Sequence, residues 1–178
     1  MTSNGRRWWL GLAGAGIALW GLSGWLGEDE EAAKPRQAVN RVWLERLPKS
    51  PRDAVGHFVL LDRKKRRIGV SGTSSQWRHD VELFHWALDR DRLEQDFPQS
   101  QTKASSTVEV EKCDDAPRPF TMCLDIEGED GNKQRFYSRR EWIIKPKDVG
   151  ESMAALVDDY PELEATRSAL TGVQGLEE

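Results

Sequence analysis

Between Val42 and Ile144 the chain never sustains a long helical period. It runs through short apolar or alternating segments, at residues 42–47, 55–61, 67–71, 81–88, 93–97, 106–113, 120–127, 133–138 and 142–144. Turn-forming clusters separate them, among them Lys64-Lys65, Thr73-Ser74-Ser75, Arg90-Asp91, the stretch from Asp114 to Pro119, and Asp130-Gly131-Asn132. Strands joined by links this short pair antiparallel, because a parallel neighbour needs a long crossover. The expected fold class is mainly β: an antiparallel meander over residues 39–147, closed into an up-and-down barrel or a strongly curved sheet, with a sandwich as the alternative.

After Pro146 the period changes. Met153, Leu156 and Val157 share a helical face, Pro161 interrupts after Tyr160, and Asp159 followed by Glu162 suits the N-cap of a second short helix ending at Leu170. A helical tail over 148–170 and a frayed C-terminus over 171–178 are expected.

Ahead of the meander, no charged residue occurs from Trp8 to Leu26, with Arg6 and Arg7 before the run and Glu28, Asp29, Glu30 and Glu31 after it. As a helix this run measures about 28 Å, close to the roughly 30 Å of a bilayer's hydrocarbon. The arginine pair, with no further Lys or Arg until Lys34, keeps the short N-terminus inside. The expectation is a cytoplasmic segment 1–7, a transmembrane helix over 8–26 acting as anchor or uncleaved signal, an acidic linker over 27–38, and an extracytoplasmic main domain, periplasmic in a bacterium. Trp8, Trp9 and Trp25 stand where indoles anchor at an interface.

The rival is a cleaved signal and a secreted domain. Against it, Trp25 and Leu26 continue the apolar run past the small pair Gly21 and Ser23. Trp25 also follows Leu22-Ser23-Gly24 where a lipidated cysteine would have to stand, which excludes lipid attachment there. Arg6-Arg7 is a partial match to a twin-arginine signal. Gly11, Gly14, Ala15, Ala18 and Gly21 form a small-residue stripe through which two such helices could pack as a homodimer, although glycine is common in membrane spans generally.

The chain has a net charge of −4, and setting Arg6 and Arg7 aside makes the remainder more acidic still, which argues against nucleic acid as a partner. Its two cysteines, Cys113 and Cys123, fall on the outward face of neighbouring strands. A turn centred on Arg118 puts them directly opposite each other, as a disulfide in an exported domain requires. That register also sets Glu111 opposite Asp125 and Glu109 opposite Glu127, so positive charge must come from elsewhere. A three-residue loop at Asp130-Gly131-Asn132 supplies it by placing Arg135 beside Glu127 and Phe136 beside Ile126.

The meander with a closing C-terminal helix resembles the lipocalin-like, or calycin, group of small barrels. Members often carry Gly-x-Trp on the first strand with an Arg from the end of the barrel stacked on the Trp. Here Arg41 stands two places before Trp43, and Arg139 or Arg140 is the candidate partner. The resemblance implies an apolar ligand or lipid held inside, with Phe84, Trp86, Phe97 and Leu124 lining the cavity.

Chemistry-bearing motifs are sparse. His57, His79 and His85 lie at no metal-ligand spacing, His79-Asp80 lacks a nucleophile, and Gly69-Val70-Ser71-Gly72 is one residue short of a nucleophile elbow. No enzyme activity, cofactor or metal is expected. Arg63, Lys64, Lys65, Arg66 and Arg67 concentrate positive charge at a hairpin tip, either as a solvated turn or as a contact for anionic lipid head groups. Trp43, Trp77, Trp86 and Trp142 are expected in the core or at the barrel ends. The two functional readings are a binding module for an apolar ligand or lipid, and an envelope interaction or scaffold protein with a filled core.

Overall fold

A computed structural model describes residues 34–63 and 66–172. The expected anchor, its small-residue stripe, most of the acidic linker, Lys64, Lys65 and residues 173–178 lie outside the described residues. Among those described, no helix is long and apolar enough to cross a membrane.

Eight antiparallel strands close into a barrel in chain order. They are β1 (Arg41–Leu44), β2 (Val55–Arg63), β3 (Arg66–Ser74), β4 (His79–Asp89), β5 (Arg92–Phe97), β6 (Thr102–Lys112), β7 (Met122–Gly128) and β8 (Lys133–Ser138). Two helices, α1 (Val149–Asp159) and α2 (Glu164–Gly172), follow the barrel and are joined by a 3₁₀ turn, Pro161–Leu163. The sandwich alternative is thereby set aside. Of the nine runs, 142–144 is not a strand. It stands in where β8 stops, with Val42 N donating to Trp142 O and Ile144 N to Asn40 O.

Two apolar clusters explain why some strands alternate and others do not. Trp43, Phe58, Leu60, Phe84, Trp86, Leu93, Val108, Val110, Leu124 and Phe136 fill the barrel interior. Val42, Leu44, Val55, Val59, Leu61 and Val70 point outward, where Val149, Met153, Leu156, Leu163 and Leu170 of the helical tail cover them. β1 and the first seven residues of β2 are therefore buried on both faces, and the near-continuous apolar run of β2 is what such a strand needs. β6 has only solvent outside, and its buried and exposed residues alternate along the half that ends at Val110.

The tail departs from expectation at its caps. Asp148 caps α1 by accepting from Glu151 N at 3.2 Å, Asp159 is the last residue of that helix, and α2 runs through Gly172. The end of the expected tether is also folded: Pro35–Ala38 forms a 3₁₀ turn whose Ala38 is fully buried and whose carbonyl accepts from Trp43 Nε1 at 2.9 Å. Asn40 fastens this turn to the barrel in a left-handed conformation (φ 57°), its N–H donating to Leu60 O at 2.6 Å and its Oδ1 accepting from Asp62 N at 2.8 Å.

The registers around β7 are corrected by two residues. Glu111 opposes Cys123, Glu109 opposes Asp125, and Thr107 opposes Glu127. Asp125 opposes Arg135 and Leu124 opposes Phe136. Between β7 and β8 the link takes in residues 128–132 instead of three residues, and between β6 and β7 the change accompanies Phe120, expected at the start of the strand. It leaves the sheet to pack under the tail against Tyr137 and Trp142, with ring centroids at 5.4 and 5.7 Å. The β6–β7 link thus becomes a wide loop rather than a turn centred on Arg118. A shift of two preserves the inward and outward faces while exchanging partners.

Candidate functional site

The four residues expected to line a cavity share one face. Gly69 pairs with Phe84, Trp86 with Gln95, and Val110 with Leu124, all inward. Aromatic rings of this face pack against one another. Phe84 stacks on Phe58 at 5.7 Å and meets Phe97 at 5.0 Å, and Phe58 meets Phe136 at 5.8 Å. Phe84, Trp86 and Leu124 are buried, and Phe97 is half-buried nearer the mouth. Gly69 makes this possible, because a Cβ there would come within 2.1 Å of Cζ of Phe84. Only toward the mouth do inward positions meet water, at Gln95, Ala104 and Gln134. Inside, Trp86 Nε1 and Ser106 Oγ have no hydrogen-bond partner among the described residues.

At the base of the barrel Arg41 is buried, and its guanidinium donates to Arg139 O and, at 3.1 Å, to Arg140 O. Burial lowers its pKa. Arg41 lies 5.9 Å from the centre of the Trp43 ring, whereas Arg139 lies over Trp142 at 6.0 Å. Arg139 is thus not the partner of Trp43, and the clasp expected from the end of the barrel is made from β1 itself.

Cys113 and Cys123 are brought together, with Cα atoms 5.7 Å apart, although they are not opposite residues. Cys123 is fully buried rather than on an open outer face. The Asp115 carboxylate and the two sulfurs lie within 4.8 Å of one another, but as a disulfide the pair offers no thiolate to a metal. Beside them Arg135 grips Asp125 in a bidentate pair at 2.7 and 2.6 Å and reaches Glu111 at 3.3 Å, and Lys133 adds a contact to Asp125 at 3.0 Å. The hydrogen bond from Arg135 is the main reason the Asp125 pKa lies below the ordinary carboxylate value. Asp125 is buried and faces the exposed Glu109 across the β6–β7 pair, and Arg135 and Lys133 supply the compensating charge.

The basic run is split. Arg63 and Arg66 are opposite residues of the β2–β3 ladder, Nε and Nη2 of Arg63 are buried without partners among the described residues, and Arg67 lies 3.8 Å from Asp62 and over the Trp86 ring at 5.3 Å. Lys64 and Lys65 are outside the described residues. This tip lies at the barrel end where the chain enters β1, since Asn40 bonds to Leu60 and Asp62.

The histidines are not brought together as a site. His79 and His85 are exposed, and His79 and Asp80, adjacent on β4, point to opposite faces. His57 is buried under the helical tail with both ring nitrogens unpartnered, and burial pushes its pKa down to about 4. Ser74 Oγ on β3, Glu162 Oε1 and Thr166 Oγ1 of the tail are likewise enclosed without partners. An open groove of about 240 Å³ lies outside the barrel between the β4–β5 and β7–β8 turns, bounded by Asp91, Arg92, Thr107, Glu127 and Glu129. Trp77, expected in the core or at a barrel end, is at a barrel end, on the β3–β4 turn, but stands in water, and its place in the cluster Thr73 to Arg78, far from any alternation, was the available signal of that exposure.

The site and fold together define a closed antiparallel barrel with a cluster of aromatic rings on its inner face and a helical cover over one flank. No protein-family model, no curated protein and no solved structure matches the chain.

Proposed function

We propose that this protein is a non-enzymatic interaction module whose barrel is a rigid scaffold, held at a membrane by the run from Trp8 to Leu26 with the barrel extracytoplasmic. The supporting observation is the interior: Phe58, Phe84, Phe97 and Phe136 pack on one another where a ligand would sit. An eight-stranded barrel has room for side chains or for one small ligand, and here aromatic rings occupy most of that room. Recognition then falls to the outer surface, and the partners are envelope components rather than a small apolar molecule. The barrel is read as lipocalin-like on its eight-stranded meander and its C-terminal helical cover, with Arg41 taking the clasp position. Arg63, Arg66 and Arg67, at the end where the chain enters, would face the head groups of the anchoring membrane.

Native mass spectrometry of the full chain released from detergent tests the proposal. The expected result is the bare chain mass, with Phe84→Ala costing about 3–5 kcal/mol of stability. A stoichiometric small molecule retained by the wild type and lost from Phe84→Ala or Trp86→Ala would restore the ligand-binding reading, for which the unpartnered Trp86 Nε1 and Ser106 Oγ are the relevant donors.

A further inference from the structure

We propose that the tip of the β3–β4 hairpin is a docking surface for an anionic lipid bilayer, a second one, distinct from the bilayer that holds the N-terminal run. Trp77 is 74% exposed, more than any other large apolar side chain among the described residues. Its turn is locked. The buried Ser75 hydroxyl accepts from Arg78 N at 3.1 Å and Trp77 N at 3.4 Å, and Ser75 N donates to Arg78 O at 2.8 Å. Gln76 N donates to Pro51 O at 3.0 Å, which ties the turn to the β1–β2 loop. A fixed turn therefore holds an indole in water, where nothing in the fold requires it.

Cations gather around this indole. Arg78 is adjacent, and the link through Pro51 brings Arg52 and Lys49 to the same tip. The acid of that loop, Asp53, is taken up by Arg46, which donates to Oδ1 at 2.9 Å. Of the other acids nearby, Asp80 is exposed at the start of β4, and Glu164 is bound to Arg167 at 2.7 Å. Positive charge therefore predominates at the tip of a domain that is acidic as a whole.

The shape selects among partners. An indole on a convex tip needs a matching pocket from a rigid protein, whereas a fluid interface accepts an amphipathic ring with its N–H among the head groups. Anionic head groups also attract the flanking cations. Orientation selects the membrane. β1 and β3 both pair antiparallel with β2, so they run the same way, and the entry into β1 lies at the opposite end of the barrel from Trp77. The nine residues of β3 span roughly 30 Å along the strand. The tip that carries Trp77 is therefore the barrel end away from the one at which the chain arrives from the first bilayer. The inference rests on the proposed anchoring only for that first membrane.

The full chain, reconstituted into phosphatidylcholine vesicles, is mixed with a second population containing phosphatidylglycerol; clustering is followed by light scattering and anchoring separately by flotation. Wild type should cluster the anionic vesicles and not neutral ones, and added salt should reverse it. Trp77→Ala should abolish clustering, and removing Arg52 or Arg78 should weaken it about fivefold each, with flotation and circular dichroism unchanged. A chain that floats but clusters nothing, or clusters equally well as Trp77→Ala, overturns the proposal. So does a Trp77-dependent dimer without clustering, which assigns the tip to a second copy. If the chain does not float, the anchor has failed instead, and Trp77-dependent co-sedimentation with the anionic vesicles decides the surface.

Discussion

Replacing Gly69 with alanine separates a filled barrel from an open one. The added Cβ would lie 2.1 and 2.2 Å from Cζ and Cε2 of Phe84, so the ring must retreat by more than about 1 Å to reach ordinary contact. It has nowhere to go, because Phe97 and Phe58 stand on it with ring centres at 5.0 and 5.7 Å. Overpacking of this kind costs about 1–3 kcal/mol, and the loss of glycine's freedom in the unfolded chain returns about 0.4–1 kcal/mol. The net expectation is a destabilisation of about 1–2 kcal/mol, a fall in Tm of roughly 3–8 °C for a domain of this size. Urea unfolding should show a lower midpoint at unchanged slope. Phe84→Leu in the same chain should relieve the clash, so that the double variant is more stable than the two single effects added together by about 1 kcal/mol or more. If the interior were open, the ring would swing aside and Gly69→Ala would be neutral or stabilising; that result would refute the filled-core argument.

Three further outcomes follow from other parts of the structure. Reducing Cys113–Cys123, or replacing both with serine, should cost about 2–3 kcal/mol given the short loop closed, read as a lower urea midpoint that oxidation restores in the wild type only. Arg135→Ala should destabilise by about 1–3 kcal/mol because it strips the buried Asp125 of its bidentate partner while Lys133 remains, and Asp125→Asn should lessen the loss in a double variant. For His57 the folded pKa of about 4 lies below the ordinary 6.5, so its contribution is full above pH 6.5 and is lost as pH falls toward 4, by about 3 kcal/mol in all. Glu162 acts in the opposite sense, since burial raises its pKa and protonation favours the fold, so the pH series should compare His57→Leu, expected to flatten the loss between pH 6.5 and 4, with Glu162→Gln.

The sequence by itself determined the strand content, its antiparallel order and which residues face inward, because side chains alternate with a period of two whatever the partner strand does. That is why the face of Phe84, Trp86, Val108 and Leu124 was legible without coordinates. It also determined that Cys113 and Cys123 meet and that Arg135 answers a carboxylate, since either two-residue register keeps those groups on one face. Only the tertiary structure decided which carboxylate. Phe120 is apolar and strand-like in its neighbours, and nothing local says that it will leave β7 to pack with Tyr137 and Trp142 under the tail. The same cover hid His57, which alternation alone would leave on an outer wall. Whether the interior is a cavity or a core was likewise undecidable from composition, because Phe84 can line a space or fill it; the approach of its ring to Gly69 across the β3–β4 pair is a contact that only the tertiary structure sets. Trp77 reverses the case: an apolar residue whose local sequence carries no instruction to be buried is left in water, because among the described residues none covers the outer side of the turn that holds it.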